Sequence, residues 1–247
     1  MPAYIGEIES ALKSGGFRGL HKWVRITNPR INSSSVSVVD THDPSCPYEL
    51  IVKGKPRHKL TGIVGEGANL KAYLSTNGNV IKVVKDVRNA RKTFVLSWAE
   101  KVLASYGIPT AKVLHVHHDG LFVEQEHINS LSLEDQYGVP DSESDKANTI
   151  EHVPGHITRQ VLDHFSKAKR LIKDRGVWLD LKSANYHQQQ AAETGAEQII
   201  NVDYVPRFHD LWRYFEDGNG NELTDEQFLD KFFHYRIRKT CCKRSKK

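Results

Sequence analysis

Three polar side chains, Asp180, Lys182 and Asn185, follow an apolar run in the stretch GVWLDLKSANYH. A tight turn favours Asp and Asn but does not need a lysine between them. Phosphoryl transfer uses all three types: a carboxylate that accepts a proton, a cation that neutralises phosphate and an amide oxygen that binds a metal. Asp203 ends a run rich in β-branched residues further along the chain. Because Mg²⁺ takes such oxygen ligands together with phosphate, these residues indicate a magnesium-nucleotide site.

A glycine turn, GEGANL, precedes these residues and holds Gly65 and Gly67 between two predicted strands. Glycine lets backbone N–H groups approach a phosphate closely, although such turns are also common in hairpins. It is not a P-loop, because no G-K-[ST] follows and the next element is a strand.

Two lysines of the strand after this turn, Lys82 and Lys85, compete for a place in a cleft, since their local settings are alike and they lie on opposite faces. A buried lysine needs a carboxylate partner, and Glu100 on the following predicted helix is the candidate. Alternatively, the lysine and Glu100 are separate surface residues whose charges are solvated by water.

The elements that must position these residues begin near residue 58. Apolar alternation predicts three strands around a tight turn at Asn77-Gly78, then a helix over about 90–106, then two more strands. This pattern predicts a five-stranded antiparallel sheet with one helix. Before it, a short helix is predicted over 5–13, and residues 28–47, rich in Ser, Pro, Asn and Asp, indicate loose packing.

The second half of the sequence is mainly helical. An amphipathic helix is predicted over 156–174 and a short strand over 198–205. FHDLWRYFED and TDEQFLDKFFHYRI predict the last two helices, and Thr224 with Gln227 fits a capping box at the start of the second.

Composition excludes several classes of protein. The net charge is +5, but much of the excess lies in the last residues, RIRKTCCKRSKK, so the body is close to neutral and a nucleic-acid partner is not expected. No apolar run is long enough to span a membrane, and the first residues lack the pattern of a Sec-type signal peptide. The three cysteines have no metal-binding spacing, which indicates a reducing compartment and a cytosolic fold.

Two further clusters have a functional and a plain interpretation. HVHHD at 115–119 fits a metal site, but a hydrated strand turn is favoured. Cys241 and Cys242 beside the basic tail fit a lipid-anchored, membrane-associated segment, but a solvated tail is favoured.

The order of GEGANL, VIK, Glu100, VEQEHI, LDLKSAN and VDYV resembles the eukaryotic-type protein-kinase superfamily. The resemblance implies an α+β, two-lobed fold. Its parts would be a partly mobile N-terminal extension over 1–55, an N-lobe over 56–128, a reduced and mainly helical C-lobe over 129–240, and a basic tail over 241–247.

The resemblance also implies which residues bind ATP. Gly65 and Gly67 would cover the phosphates, and Lys82 would hold the α- and β-phosphates while paired with Glu100. Gln125 would stand at the gatekeeper position. The hinge that binds adenine through its backbone would be Glu126, His127 and Ile128.

The catalytic roles follow in the same way. Asp180 would orient the substrate hydroxyl and accept its proton, and Lys182 would neutralise the γ-phosphate, a feature more typical of Ser/Thr than of Tyr kinases. Asn185 and Asp203 would bind Mg²⁺, with Mn²⁺ as the alternative metal.

The sequence departs from the family pattern at several positions. Leu70 replaces the third glycine, Trp178-Leu179 replaces His-Arg, and Asp203 is followed by Tyr-Val instead of Phe-Gly. No APE follows, and the chain is too short after Asp203 for a full helical lobe. Without an Arg before Asp180, activation-loop phosphorylation has no receptor, so a constitutively assembled or partner-activated enzyme is expected.

Such a pared-down chain resembles the minimal kinases that bacteria inject into host cells as type III effectors. That resemblance implies a virulence factor secreted into the host cytosol, acting on a host protein such as a chaperone or a ubiquitin-pathway enzyme. One alternative is a small-molecule kinase, since VDYVPRFHDLW resembles the aminoglycoside-phosphotransferase pattern, although Trp178 stands where those enzymes carry a His. The other is a nucleotide-binding pseudokinase scaffold, suggested by the missing His-Arg.

Overall fold

The largest element of the protein is an antiparallel sheet of seven strands. The strands are β1 (Val36–Asp40), β2 (Tyr48–Val52), β3 (Lys55–Glu66), β4 (Leu70–Ser75), β5 (Val80–Val84), β6 (Val113–Val116) and β7 (Phe122–Gln125). Their spatial order is β1-β2-β3-β4-β5-β7-β6. Together with the helices given below, this sheet makes the chain an α+β protein.

The computed structural model describes residues 2–25, 35–67, 69–137, 153–175, 181–190, 195–204, 216–217 and 219–233. The chain divides into two compact units. The first comprises Met1–Val102 and Ala111–His127, and the second comprises Leu103–Thr110 and Ile128–Lys247.

The hairpin of β4 and β5 turns at Asn77-Gly78, as the sequence predicts. Gly78 has a φ of +80°, which glycine adopts without steric cost. Its N–H donates to the carbonyl of Ser75 at 3.0 Å, and the N–H of Ser75 donates to the carbonyl of Asn79 at 2.8 Å. The turn fixes the register of the two strands.

The prediction of a five-stranded sheet is wrong, because residues 36–52 supply two more strands. Apolar residues alternate along these two strands between polar residues that are typical of loops. The apolar side chains pack against a buried cluster of the sheet. The partly buried residues are Val36, Val38, Tyr48 and Val52, and the cluster is Leu50, Leu60, Tyr73, Ile81 and Phe122. A tight turn joins β2 to β3, where Lys53 and Gly54 both have positive φ, as in a type I′ hairpin. The burial of one face of β1 and β2 therefore determines the structure of this segment more than its polar composition does.

Helix α1 (Pro2–Arg25) is longer than the short helix predicted over 5–13. Its helical geometry is interrupted at Gly15 and Gly16, and Gly16 has a φ of +53°. The two halves then approach closely, because a Cβ added at Gly19 would lie 2.1 Å from the carbonyl oxygen of Ala11. The glycine pair ends the helical pattern in the sequence, but the chain resumes the helix beyond the bend.

Helix α2 (Arg91–Ser105) confirms the helix predicted over about 90–106 and packs against α1. The ring of Tyr4 stacks on that of Phe94 with centroids 4.0 Å apart. The guanidinium of Arg91 lies 4.7 Å from the ring of Trp23 and donates to the carbonyl of Trp23 at 3.1 Å. These contacts make α1 part of the core of the first unit.

Within its described residues, the second unit consists of helices and a pair of antiparallel strands. Its elements are α3 (Leu133–Tyr137), α4 (Gly155–Arg175), β8 (Tyr186–Gln190), β9 (Glu197–Asn201) and α5 (Asp225–Phe233). Helix α4 confirms the amphipathic helix predicted over 156–174. The side chain of Gln160 ties α4 to β9, because its Nε2 donates to the carbonyl of Glu197 and its Oε1 accepts from the N–H of Ile199, each at 2.9 Å.

Helix α5 packs on α4 through stacked rings, with the centroids of Phe165 and Phe228 3.7 Å apart. The predicted capping box is confirmed. The N–H of Thr224 donates to Oε1 of Gln227 at 2.9 Å, and the N–H of Gln227 donates to Oγ1 of Thr224 at 3.2 Å.

Some predictions fall outside the described residues, namely Asp180, the helix of FHDLWRYFED except its last two residues, and the basic tail over 241–247. Of the helices that the structure describes, none has both the length and the apolar character needed to cross a membrane.

Candidate functional site

A row of paired residues crosses one face of the sheet in the first unit. The register pairs Gly65 with Ala72, Ala72 with Lys82, and Lys82 with Val123. Residues that are directly opposite on antiparallel strands have side chains on the same face. The glycine turn and Lys82 therefore share one face of the sheet, two strands or about 10 Å apart.

The two competing lysines differ in their surroundings. Lys82 lies inside β5 and is half-buried. Lys85 follows the end of that strand, is exposed, and forms an ion pair with Glu66. A hydrogen bond and the charge of Lys85 lower the pKa of the Glu66 carboxyl. The register thus puts Lys82 on the face of the glycine turn, while Lys85 belongs to a surface pair.

The glycine turn presents an open backbone. A Cβ added at Gly65 would meet nothing within 4 Å, and one at Gly67 would touch only the carbonyl oxygen of Leu70, at 3.7 Å. The fold of the described residues therefore does not demand glycine at either position. The N–H of Gly67 donates to the carbonyl of Leu70 at 2.9 Å, so this donor is used by the turn itself.

Glu100 is half-buried in α2, directly after a run of buried residues over 93–99. In the part of the chain that the structure describes, no ion pair joins Glu100 to Lys82, although Lys82 is not without a partner. The pairing of these two side chains therefore stays a prediction.

The predicted adenine-binding segment begins at the end of β7. Gln125 is buried, and its Nε2 donates to the carbonyl of Ala111 at 3.2 Å. The N–H of Glu126 donates to the carbonyl of Lys112 at 2.8 Å, so this donor is occupied within the sheet. Further along, His127 is half-buried and Ile128 is buried. The roles of these residues in binding adenine stay predictions.

In the second unit, the structure brings Lys182, Asn185 and Asp203 into one small region. Residues 183–185 form a single 3₁₀ turn, in which the N–H of Asn185 donates to the carbonyl of Lys182 at 2.9 Å. The carbonyl of Asn185 accepts the N–H of Val202 at 2.8 Å. This bond joins the turn before β8 to the segment after β9, which carries Asp203.

Sequence reasoning missed Asn201, the last residue of β9. Its side chain is fully buried, and its Oδ1 accepts the N–H of Asp203 at 3.1 Å. Its own N–H donates to the carbonyl of Pro109 at 3.0 Å, and in the described part of the chain its Nδ2 is buried without a hydrogen-bond partner. The signal was present in the sequence, since Asn two residues before a turn position commonly accepts such a bond.

A buried histidine packs beneath this region. The ring of His164 on α4 lies 5.7 Å from the ring of Tyr186, the first residue of β8. Burial, reinforced by the charge of Lys167, lowers the pKa of His164 to about 4. The imidazole is therefore neutral at pH 7 and supports β8 as a packing group.

The donor set of the second unit fits a hard divalent cation. Asn185 offers an amide oxygen and Asp203 a carboxylate, and Mg²⁺ is commonly held by one or two such protein ligands plus phosphate oxygens and waters. Asp203 is exposed, so its carboxylate is accessible to an ion with a large remaining hydration shell.

Comparison with known proteins finds matches among solved structures alone. No protein-family model matches the chain, and no curated protein matches it. A crystal structure of the kinase domain of PknI from Mycobacterium tuberculosis is 14% identical, with a TM-score of 0.43, over 71% of this chain and 73% of that chain. A double mutant of that domain is 14% identical, with a TM-score of 0.42, over 82% of this chain and 76% of that chain. Similarity this low assigns no function, so any assignment depends on the chain's own residues.

Proposed function

We propose that the protein is a kinase-like enzyme that transfers the γ-phosphoryl group of Mg-ATP to a serine or threonine hydroxyl of a protein. The observation that carries this proposal is the 2.8 Å bond from the N–H of Val202 to the carbonyl of Asn185. It joins the turn that carries Asn185 to the segment that carries Asp203, on either side of β8 and β9, and these two side chains are of the types that hold a metal in phosphoryl transfer.

The first unit supports the proposal independently. Gly65 and Lys82 lie in one row of the sheet, with only the small side chain of Ala72 between them. A small residue there leaves room above the sheet, and a phosphate chain lying on this face would contact open backbone at one end and an ammonium group at the other. Lys85 pairs with Glu66 at the surface, and we therefore assign this role to Lys82.

Each residue then has a chemical task. Lys82 holds the α- and β-phosphates, and Glu100 fixes its position when nucleotide is bound. Asp180 orients the acceptor hydroxyl and takes up its proton, while Lys182 neutralises charge on the γ-phosphate. Asn185 and Asp203 hold Mg²⁺, or Mn²⁺ in its place, which supplies charge neutralisation at the phosphates.

The narrower assignment is a bacterial effector that acts on a host protein, a chaperone or a ubiquitin-pathway enzyme. It rests on Leu179, which stands where the family carries the Arg before the catalytic Asp, and this argues against control by a phosphorylated activation loop.

The test is transfer of labelled γ-phosphate from Mg-ATP by the purified full chain, alone and with a eukaryotic cell lysate. An Asp180→Asn variant serves as the control, because it keeps the size of the side chain and removes the base. We expect label on a protein band that is absent with the variant. Label on small molecules only would identify a small-molecule kinase, and ATP binding without transfer would identify a scaffold. Absence of ATP binding would overturn all three.

A further inference from the structure

Three consecutive side chains, His117, His118 and Asp119, converge at the turn between β6 and β7. One ligand atom from each lies within 4.8 Å of the others. Nε2 of His118 is 3.0 Å from Oδ1 of Asp119, and Nδ1 of His117 is 4.0 Å from Oδ2 of the same carboxylate. The turn belongs to the first unit and has no part in the proposed phosphoryl transfer.

His117 is the unusual member of this cluster. Its side chain is 9% exposed, and its ring stacks on that of Phe122 with centroids 4.8 Å apart. Its Nδ1 is buried with no hydrogen-bond partner in the part of the chain that the structure describes. A buried polar atom without a partner is costly, so a ligand that occupied this atom would remove the cost.

Contacts with residues near the start of α2 hold this turn in place. The N–H of Gly120 donates to the carbonyl of His117 at 2.8 Å, and Gly120 has a φ of +71°. A Cβ at Gly120 would lie 2.4 Å from the carbonyl oxygen of Ala90 and 2.7 Å from the ring of Phe94. Oγ1 of Thr93 lies 3.0 Å from the carbonyl oxygen of Gly120. These contacts pack the turn against the start of α2 and fix the three ligand groups before any ion arrives.

We propose that His117, His118 and Asp119 bind a transition-metal ion of the Zn²⁺ class. Two imidazoles and a carboxylate favour Zn²⁺ over Mg²⁺ or Ca²⁺, which take oxygen ligands. Zinc–ligand distances of about 2.0–2.1 Å at tetrahedral angles set neighbouring ligand atoms about 3.4 Å apart. The two distances in the cluster lie on either side of that value, so small side-chain movements would close the site.

The surroundings also suit an ion that arrives from solvent. His118 is 61% exposed and Asp119 26% exposed, so one side of the cluster is open for entry and for a water as the fourth ligand. Burial lowers the pKa of His117, helped by the charges of His118, His115 and Lys53, while Asp119 acts in the opposite direction.

The test uses untagged full chain freed of metal with a chelator, titrated with Co²⁺ and followed by visible absorption. We expect one Co²⁺ per chain, displaced by Zn²⁺, and a rise in melting temperature with Zn²⁺. His118→Ala and Asp119→Asn should each weaken binding at least about 10–100-fold, the loss seen when even a supporting partner of a metal ligand is removed. Both side chains are on the open side, so the fold should survive, as circular dichroism would verify.

His156→Ala is the matched control, since His156 also contacts a carboxylate, Glu197, at 2.7 Å, and is 44% exposed. Its metal binding should equal that of the parent. The proposal is overturned by binding that never reaches one ion per chain, by unchanged affinity in both cluster variants, or by an equal loss in the control. None of these measurements involves nucleotide, so they do not depend on kinase activity.

Discussion

The two units hold their candidate site residues by different physical means. In the first unit, Gly65 and Lys82 share a face because a ladder of backbone hydrogen bonds sets the register of β3, β4 and β5. In the second unit, Asn185 and Asp203 flank the ladder of β8 and β9, and the N–H of Asp203 also depends on one side chain, the Oδ1 of Asn201. A ladder tolerates the loss of one side chain, whereas a bond that a side chain itself accepts does not. Substitutions that spare the reacting groups should therefore affect the second unit more.

The largest effect should come from Lys82→Ala, which removes a cation from the phosphate face and leaves the ladder intact. We expect phosphoryl transfer to fall about 10²–10³-fold, as with the loss of one preorganised electrostatic group. Lys85→Ala is the matched control and should keep its activity, because Lys85 pairs with Glu66 at the surface. Initial rates at saturating Mg-ATP measure both. Loss of activity in Lys85→Ala alone would show that the register does not select the functional lysine.

The membership of β1 and β2 in the sheet can be tested through Leu50, which is fully buried in the cluster of the first unit. Leu50→Ala should lower the free energy of unfolding by about 2–5 kcal/mol, through lost apolar burial and the cavity left behind. Val39→Ala, at a side chain 41% exposed on β1, should cost far less. Urea denaturation compares the two. Equal costs would contradict the packing of residues 36–52 against the sheet.

Asn201→Ala examines the second unit directly, because it removes the acceptor for the N–H of Asp203. We expect a loss of about 1–3 kcal/mol in stability and a higher Mg²⁺ concentration for half-maximal transfer. Asn79→Ala is the control, since the side chain of Asn79 donates to Glu124 at 2.8 Å in the first unit. It should lower stability without changing the Mg²⁺ requirement. A shift in that requirement for both variants would mean that Asn201 acts only through stability.

The last prediction concerns acid and His164, whose pKa is lowered to about 4 by burial. The unfolded chain binds a proton here below about pH 6.5, whereas the folded chain does not until about pH 4. Stability should therefore fall by up to about 1.4 kcal/mol per pH unit as the pH drops from 6.5 toward 4. His164→Leu should lack this part of the loss in denaturant melts at pH 7 and 5. Parallel losses in parent and variant would refute the assignment.

Local patterns in the sequence predicted much of the secondary structure. The Asn77-Gly78 turn, α2, α4 and the Thr224 capping box each depend on a few neighbouring residues, and each is confirmed. The two added strands and the second half of α1 were missed, because their stability comes from partners distant in sequence. Tyr48 and Val52 strengthen β2 only when the rest of the cluster is present.

The candidate site was likewise predictable only where it depends on neighbouring residues in the sequence. Residue types and spacing indicated Lys82, Asn185 and Asp203 as candidates but left Lys82 and Lys85 equally placed, and only the register shows that Lys82 shares a face with Gly65. For Asn201 the sequence offers only the local pattern of a side chain that accepts a turn N–H, and its link to the site depends on its place beside Asp203. The HVHHD stretch by itself favours a turn, and only the convergence of the ligand atoms of His117, His118 and Asp119 favours a metal.

The stacking of Tyr4 on Phe94 ties the first residues of the chain to the helix that carries Glu100. Events at the amino terminus are thereby linked to α2. A protease that removes a few residues, or a fusion that displaces the ring of Tyr4, would uncover one side of α2. Activity and stability measured on such trimmed or fused chains would therefore differ from those of the intact unit.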